Sequence, residues 1–367
     1  MEKIMITTNN IFEFEISNLE LLGARKEDIV FFDIETTGFS PKSTALYLIG
    51  ALYYKNNTWN ITQWFSEDSN NEPIILASFF EFIQTYKTIV HFNGDGFDIP
   101  YLTSKFAKYN LPYSFKNFTS FDIFKHTRKV HKLLKLENYK QKTIEKFLGI
   151  ERNDKFSGGE LINIYNKYLI TRDEELLQVL LLHNKEDVIG MLQLLPILSY
   201  SPITEGKYLI SSIETNTVKD FDGLDAKETI FIGTLDTAIP KRVSFGNDTF
   251  YLTAFNKSLK LRIKVYTGEL KYFYSNYKDY FYLPDEDTSI HKSIAFYVDK
   301  NYRTKAKAAN CYSKKTGMFL PQFNEIVNPY FKIDYNDKIT YFEFEESFIG
   351  NNKIQKSYMT DIINKLL

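Results

Sequence analysis

From Asp28 the chain runs Ile29-Val30-Phe31-Phe32 and then turns acidic, at Asp33-Ile34-Glu35-Thr36-Thr37-Gly38. The apolar half consists of strand formers and predicts a buried strand. Side chains alternate along a strand, so Asp33 and Glu35 fall on one face of a rigid support, the geometry needed to clamp a cation. A sheet with a pair of carboxylates at the end of one strand is the first constraint on the fold.

The segments that follow alternate between strand-like and helix-like. Thr44–Tyr54 and Thr58–Phe65 read as strands around a polar Lys55-Asn56-Asn57 turn, and with the first strand they predict an antiparallel meander. Pro73 opens a helix to about Tyr86, with Ile75, Phe79, Phe82 and Ile83 on one face. Thr88–Phe92 reads as a short buried strand broken by Asn93-Gly94-Asp95-Gly96. A helix follows from about Ile99 to Lys108, and Phe118–Phe124 supplies a fifth strand. Helical patterns then cover Tyr139–Leu148, Gly159–Tyr168 and Glu174–Leu194. Beyond Pro196 and Pro202 the texture changes to period-two alternation between about Thr229 and Phe344. There Leu259–Tyr266, the turn Thr267-Gly268-Glu269 and Leu270–Tyr274 predict a hairpin. A polar helix is expected at Ile354–Leu367.

At 367 residues the chain exceeds one average domain. Hydrophobic residues at 44% and charged ones at 25% argue against wholesale disorder. The single Cys311 excludes an intramolecular disulfide framework and a cysteine-based zinc site, and it fits a reducing compartment. The start, Met1-Glu2-Lys3-Ile4, carries no long apolar stretch, so neither a signal peptide nor a membrane partner is expected and the location expected is cytoplasmic. The net charge of −1 decides nothing about nucleic acid, because a basic strip can be offset by acids elsewhere.

Two further acids complete a constellation. Asp98 stands where a Gly-containing loop gives way to a helix, two residues before Pro100. Asp187 follows His183 by four residues within a helical stretch, so both project from one face. Converging, these hard oxygen ligands suit Mg²⁺ or Mn²⁺ rather than zinc. Two such ions about 3.5–4 Å apart activate a water and stabilise the leaving oxygen of a phosphodiester. A nearby histidine with a pKa of roughly 6.5 takes the proton of that water at neutral pH.

Asp33-Ile34-Glu35-Thr36-Thr37-Gly38, the stretch from His91 through Asp98 to Leu102, and His183-Asn184-Lys185-Glu186-Asp187 resemble, in order, the three exonuclease motifs of the DEDD superfamily, whose fold is ribonuclease H-like. More narrowly, the chain is similar to the YprB-like ribonuclease H-like family. Phe121-Asp122 with Arg128, and Leu148-Gly149-Ile150-Glu151-Arg152 followed by Asp154 and Gly158, are further matches. The resemblance covers about Asp28–Leu198. It implies an α/β domain at 28–200, a mixed five-stranded sheet flanked by helices, after an N-terminal extension at 1–27. A β-rich accessory domain is expected at 201–367, for substrate or partner binding. Asp33, Glu35, Asp98 and Asp187 would hold two Mg²⁺ or Mn²⁺ ions, with His183 as general base. The implied activity is 3′→5′ hydrolysis of nucleic acid, DNA slightly ahead of RNA, to nucleoside 5′-monophosphates. The partner is a single strand or a free 3′ end. One departure stands out: His183 and Asp187 are four apart, whereas the commonest histidine subtype spaces them by five and the tyrosine subtype by four.

Each feature also has a plainer reading. Asp33 and Glu35 are equally the polar end of an edge strand, and Asp98 a helix cap. His183 and Asp187 as a solvated pair are worth only about 0.2–0.5 kcal/mol. Asp122 is open between strand residue, orienting partner and turn former. Thr36 and Asn93 are candidate substrate contacts, Asn93 being equally a cap of its strand. His91, His126, His131 and His291 carry no pattern and read as structural. In the second region a strand at Arg303-Thr304-Lys305-Ala306-Lys307 presents Arg303, Lys305 and Lys307 on one face near Tyr302 and Tyr312, with Lys314 and Lys315 beyond. That suits phosphates and stacked bases, or simply an edge strand protected by lysine. The rivals that keep the fold are a nucleic-acid-binding module without turnover and a structure-specific endonuclease.

Overall fold

Six strands build one sheet in the first half of the chain: Ile4–Ile11 (β1), Ile29–Thr36 (β2), Leu46–Lys55 (β3), Thr58–Ser66 (β4), Thr88–His91 (β5) and Thr119–Asp122 (β6). Their order across the sheet is β1-β4-β3-β2-β5-β6. The computed structural model describes residues 4–11, 18–219 and 222–367. Two units divide the chain, Met1–Ser201 and Pro202–Leu367. The five expected strands are β2–β6. From within the stretch read as an N-terminal extension, β1 adds a sixth at the edge, antiparallel to β4. Residues 1–3, on which the expected lack of a leader partly rests, lie outside the described ones.

The meander forms for a local reason. Asn56 and Asn57 both take positive φ (54° and 61°) while Lys55 faces Thr58, the two-residue turn whose twist matches a hairpin. By contrast, β5 runs parallel to β2 and β6 parallel to β5, so the C-terminal ends of these three strands share one edge.

Among the described residues seven α-helices accompany the sheet: Glu72–Ile83 (α1), Asp98–Lys108 (α2), Ile123–Lys129 (α3), His131–Leu134 (α4), Gln141–Leu148 (α5), Gly158–Thr171 (α6) and Glu174–Gln193 (α7). Alternation in β2 sends Val30, Phe32 and Ile34 into one core with Ile75 and Phe79 of α1 and Leu102 and Phe106 of α2. Fully burying each such side chain is worth about 1.5–3 kcal/mol. A second core packs Tyr47 and Phe65 against Leu161 and Tyr165 of α6 and Leu177 and Leu180 of α7. Asp33 and Glu35, pointing away from the first core, therefore lie on the α7 side of the sheet. Lys105 is fully buried and pairs with the buried Glu72 at 2.7 Å, where Glu72 also accepts the Leu46 N–H.

The second unit is β-rich. Tyr208–Lys219 (β7), Asp225–Gly246 (β8) and Phe250–Lys264 (β9) form an antiparallel three-stranded sheet. Tyr266–Phe273 (β10), Tyr280–Leu283 (β11), Thr288–His291 (β12), Thr304–Lys305 (β13), Tyr312–Gln322 (β14), Tyr330–Phe331 (β15) and Thr340–Glu343 (β16) form two more, in orders β10-β14-β16-β15 and β12-β11-β13. The hairpin expected around Thr267-Gly268-Glu269 is not formed. Those residues lie inside β10, with Gly268 opposite Gly317 of β14, while β9 pairs with β8. The chain changes sheets at Val265, whose N–H is taken by the Lys227 carbonyl. The C-terminal helix, Asn352–Leu366, buries Tyr358, Met359, Ile362 and Ile363 and so is amphipathic rather than polar. Among the described residues no helix is long and apolar enough to cross a membrane.

Candidate active site

The shared edge of β2, β5 and β6 determines where the acids meet. Asp33 and Glu35 arrive on the last half of β2. Asp98 arrives as the first residue of α2, where Phe97 occupies the cap position, and its Oδ1 accepts the Ile34 N–H at 3.3 Å. That bond ties α2 to β2 beside the acid pair. From the other side, α7 contributes His183 and Asp187 one turn apart. Nε2 of His183 lies 3.6 Å from Oε1 of Glu35 and 3.2 Å from Oδ2 of Asp187. Ligand atoms of Glu35, His183 and Asp187 all fall within 4.8 Å of one another.

Close approach of α7 depends on Gly50, which pairs with Asp33 across the β2–β3 ladder. Asn184, next to His183, fills the space where a Gly50 side chain would stand. Its Nδ2 donates to Asp33 at the carbonyl (3.3 Å) and at Oδ2 (3.2 Å), and its Oδ1 accepts from Gln63 at 3.0 Å.

Burial dominates the electrostatics. It pushes Asp33 well above the usual carboxylate range, and the charges of Asp187, Asp98 and Glu35 add to the rise. Glu35 is pushed up to about 8 by burial against the pull of His183. Asp98 is pushed up to about 7 by burial, the Ile34 N–H opposing. Asp187 behaves differently: burial works against its charge, yet the hydrogen bond from His183 and the charges of His183 and Arg152 hold it low. Burial likewise works against charged His183, and the bond to Asp187 with the charges of Asp187, Glu35 and Asp154 raises it. Burial and mutual repulsion thus disfavour the charged forms of Asp33, Glu35 and Asp98, and a hard divalent cation among them would favour those forms.

A loop between α5 and α6 grips α7 from outside. Arg152 donates to Oδ1 of Asp187 at 2.6 Å and reaches Glu145 at 3.2 Å. Two residues on, the buried Asp154 places Oδ2 2.7 Å from Nδ1 of His183 and 2.7 Å from the Lys142 ammonium. Glu186 of α7 returns the grip, accepting the Asn153 and Asp154 N–H groups at 3.0 and 2.8 Å.

A second group, His91, Asp95 and Asp122, is tied into local hydrogen bonds. Nδ1 of His91 accepts the Gly94 N–H at 3.0 Å, and Nε2 meets Oγ of Ser120 at 2.8 Å. Asp122 accepts the N–H groups of Asn93 (2.9 Å), Asp95 (3.3 Å) and, as the cap of α3, Lys125 (3.4 Å). This is a brace for the loop that delivers Asp98.

The structure thus clusters Glu35, His183 and Asp187, with Asp33 and Asp98 near enough for their charges to act on the same acids. Thr36 uses its hydroxyl on the Gly38 carbonyl at 2.9 Å, shaping the turn beside them. Asn93 is exposed, with φ of 63°. Arg303, Lys305 and Lys307 belong to the second unit, on the edge strand β13 and its flanks, with Arg303 over the Phe281 ring at 4.9 Å. Lys314 and Lys315 are paired with Asp287 and Glu343. Sequence reasoning gave Arg152 and Asp154 no role although both stood in the motifs, and it passed over Asn184, Gln63 and Gly50. Nothing in a linear pattern signals a helix–strand approach at one glycine.

Residues 30–199 match the family model of the RNase_H superfamily. Among solved structures the chain is similar to a family B DNA polymerase from the hyperthermophilic archaeon Pyrobaculum calidifontis, at 16% identity and TM-score 0.39, over 48% of this chain and 26% of that one. It is also similar to E. coli exonuclease I in complex with a dT13 oligonucleotide, at 15% identity and TM-score 0.27, over 56% of this chain and 54% of that one. The chain spans about a quarter of the first and about half of the second. No curated protein matches it. The first unit carries a ribonuclease H-like domain.

Proposed function

We propose that this protein is a metal-dependent 3′→5′ exonuclease that shortens single-stranded or free-ended nucleic acid, DNA ahead of RNA, and releases nucleoside 5′-monophosphates. The observation that supports it most is the convergence of Asp33 and Glu35 on β2, Asp98 on α2 and Asp187 on α7, with Nε2 of His183 between Glu35 and Asp187. In this reading Asp33, Glu35, Asp98 and Asp187 hold two Mg²⁺ or Mn²⁺ ions. Bound there, the cations supply Lewis acidity, lowering the pKa of water and bearing the charge of the leaving oxygen.

The rest is done by the chain. Asn184 holds Asp33 against α7, and Arg152 fixes one oxygen of Asp187. With Nδ1 of His183 bonded to Asp154, Nε2 is the nitrogen left to take a proton from the attacking water. We read the domain as YprB-like on its three motifs and the further matches at Phe121-Asp122 with Arg128 and at Leu148-Gly149-Ile150-Glu151-Arg152, and residues 201–367 as a grip on substrate or partner through Arg303, Lys305 and Lys307. We assign the protein to the cytoplasm; its one cysteine, Cys311, is a buried free thiol.

The test is a 5′-labelled single strand incubated with Mn²⁺ or Mg²⁺, beside Asp33→Ala and EDTA. A ladder shortening from the 3′ end is expected from the wild type alone. Equal product from the variant, or none that depends on metal, would overturn the reading. Cleavage of a circular strand would replace it with an endonuclease.

A further inference from the structure

Next to the carboxylate cluster, within the first unit, lies an open cleft of about 530 Å³ lined by Phe92, Asn93, Phe124, Arg128, Lys140 and Gln141, and no carboxylate is among its lining residues. Gln141 joins the cleft to the cluster, since its Nε2 donates to the Asp187 carbonyl at 2.8 Å and to Glu145 at 2.9 Å. The Phe92 and Phe124 rings stand 5.7 Å apart at 60° and both are half-buried. The Arg128 guanidinium lies over the Phe124 ring, 5.7 Å from its centre. Arg128 and Lys140 are exposed, and among the described residues neither side chain has an acidic partner.

Those features favour one class of ligand. Unpaired cations at the rim of an acid-free cleft attract phosphate, and aromatic faces with a guanidinium above them accept a flat base. The volume lies within the roughly 300–1,000 Å³ typical of small-ligand sites. Both phenylalanines sit at the C-terminal edge of the sheet, just past β5 and β6, where the acids converge. We infer that this cleft is a nucleotide subsite for a single-stranded polynucleotide whose cleaved bond lies at the carboxylates. Arg128 and Lys140 meet backbone phosphates, and Phe92 and Phe124 stack against a base. The choice of ligand rests on the nuclease reading; the chemistry of the cleft does not.

The test separates the two. Binding of labelled oligo-dT and oligo-U is followed by fluorescence anisotropy in EDTA, where no metal-dependent turnover occurs, across a salt series. Arg128→Ala and Lys140→Ala should each weaken binding severalfold and each lower the salt slope by about 0.7, the value for one single-strand phosphate. Phe124→Ala should cost roughly 5- to 150-fold. Phe124→Tyr, which keeps a stacking face, should recover most of it even if the alanine variant folds poorly. Lys116→Ala, near the opposite end of β6, should change neither quantity. Binding without hydrolysis would remove the nuclease reading and leave the subsite. Hydrolysis by Arg128→Ala, Lys140→Ala and Phe124→Ala with KM, Kd and salt slope unchanged would overturn the subsite and leave the nuclease. So would a wild type that does not bind single strands.

Discussion

Oδ2 of Asp154 lies 2.7 Å from Nδ1 of His183, and both side chains are buried. A carboxylate there accepts the Nδ1–H of the imidazole and leaves Nε2 as the nitrogen turned to Glu35 and Asp187. Asp154 is thus a positioning residue for the base. Asp154→Asn should lower kcat between roughly 10- and 10⁴-fold with KM little changed. Loss of folding would appear in near-UV circular dichroism. A parallel loss in KM, or no loss in kcat, would show that His183 does not depend on Asp154.

The raised carboxyls predict an inverse dependence of stability on pH in the chelated protein. Glu35 at about 8 and Asp98 at about 7 stand above their unfolded values of 4.5 and 3.8. Folding favours their protonated forms, so this contribution is complete at about pH 4 and is lost as pH rises to about 8. Each unit of mismatch is worth up to about 1.4 kcal/mol. Tm in EDTA should therefore fall between pH 5 and 8. Glu35→Gln should flatten the fall, and Mn²⁺ at pH 8 should reverse it, because a cation favours the ionised acids. A slope unchanged by Glu35→Gln would show that burial there is less costly than the packing suggests.

Much of this site was legible because strand and helix periods are local. Asp33 and Glu35 share a face by the two-residue repeat, and His183 and Asp187 by the helical turn. Asp98 was legible as a loop-to-helix junction, though Phe97 holds the cap and Asp98 instead bonds β2. What stayed hidden depends on contacts between distant segments. Thr267-Gly268-Glu269 looks like a turn locally, yet β14 lies opposite and draws it into a strand. The residues β1 adds to the sheet edge read as an extension because an edge strand needs no core pattern. Arg152 and Asp154 acquire a role only once the loop carrying them folds over α7.

The Glu72–Lys105 pair makes a separate prediction about stability. Glu72 also accepts from the Leu46 N–H and from the Tyr109 hydroxyl, at 2.7 and 2.5 Å, so it serves three donors inside the core. Glu72→Ala leaves the Lys105 ammonium buried without its carboxylate and should cost about 3–5 kcal/mol. Adding Lys105→Met should recover part of that. Urea midpoints of the single and double variants measure both. Additive losses would mean that the two side chains do not depend on each other.

Gly50 gives the sharpest test of how the sheet meets α7. A methyl at this position would stand 2.1 Å from Oδ1 of Asn184 and 2.9 Å from its Cγ. Asn184 has little freedom to retreat, being held by Gln63 at 3.0 Å and bonded to Asp33 at 3.2 Å. Gly50→Ala should therefore push α7 outward, costing about 1–3 kcal/mol as overpacking does. The same shift carries His183 and Asp187 away from Glu35, and a displacement near 1 Å is enough to lower turnover on the order of 10²-fold. Adding Asn184→Ala makes room for the methyl and should restore stability. Asp33 still lacks its amide partner in that double variant, so turnover should stay low. Full stability and full rate in Gly50→Ala alone would mean that the helix does not need the missing side chain.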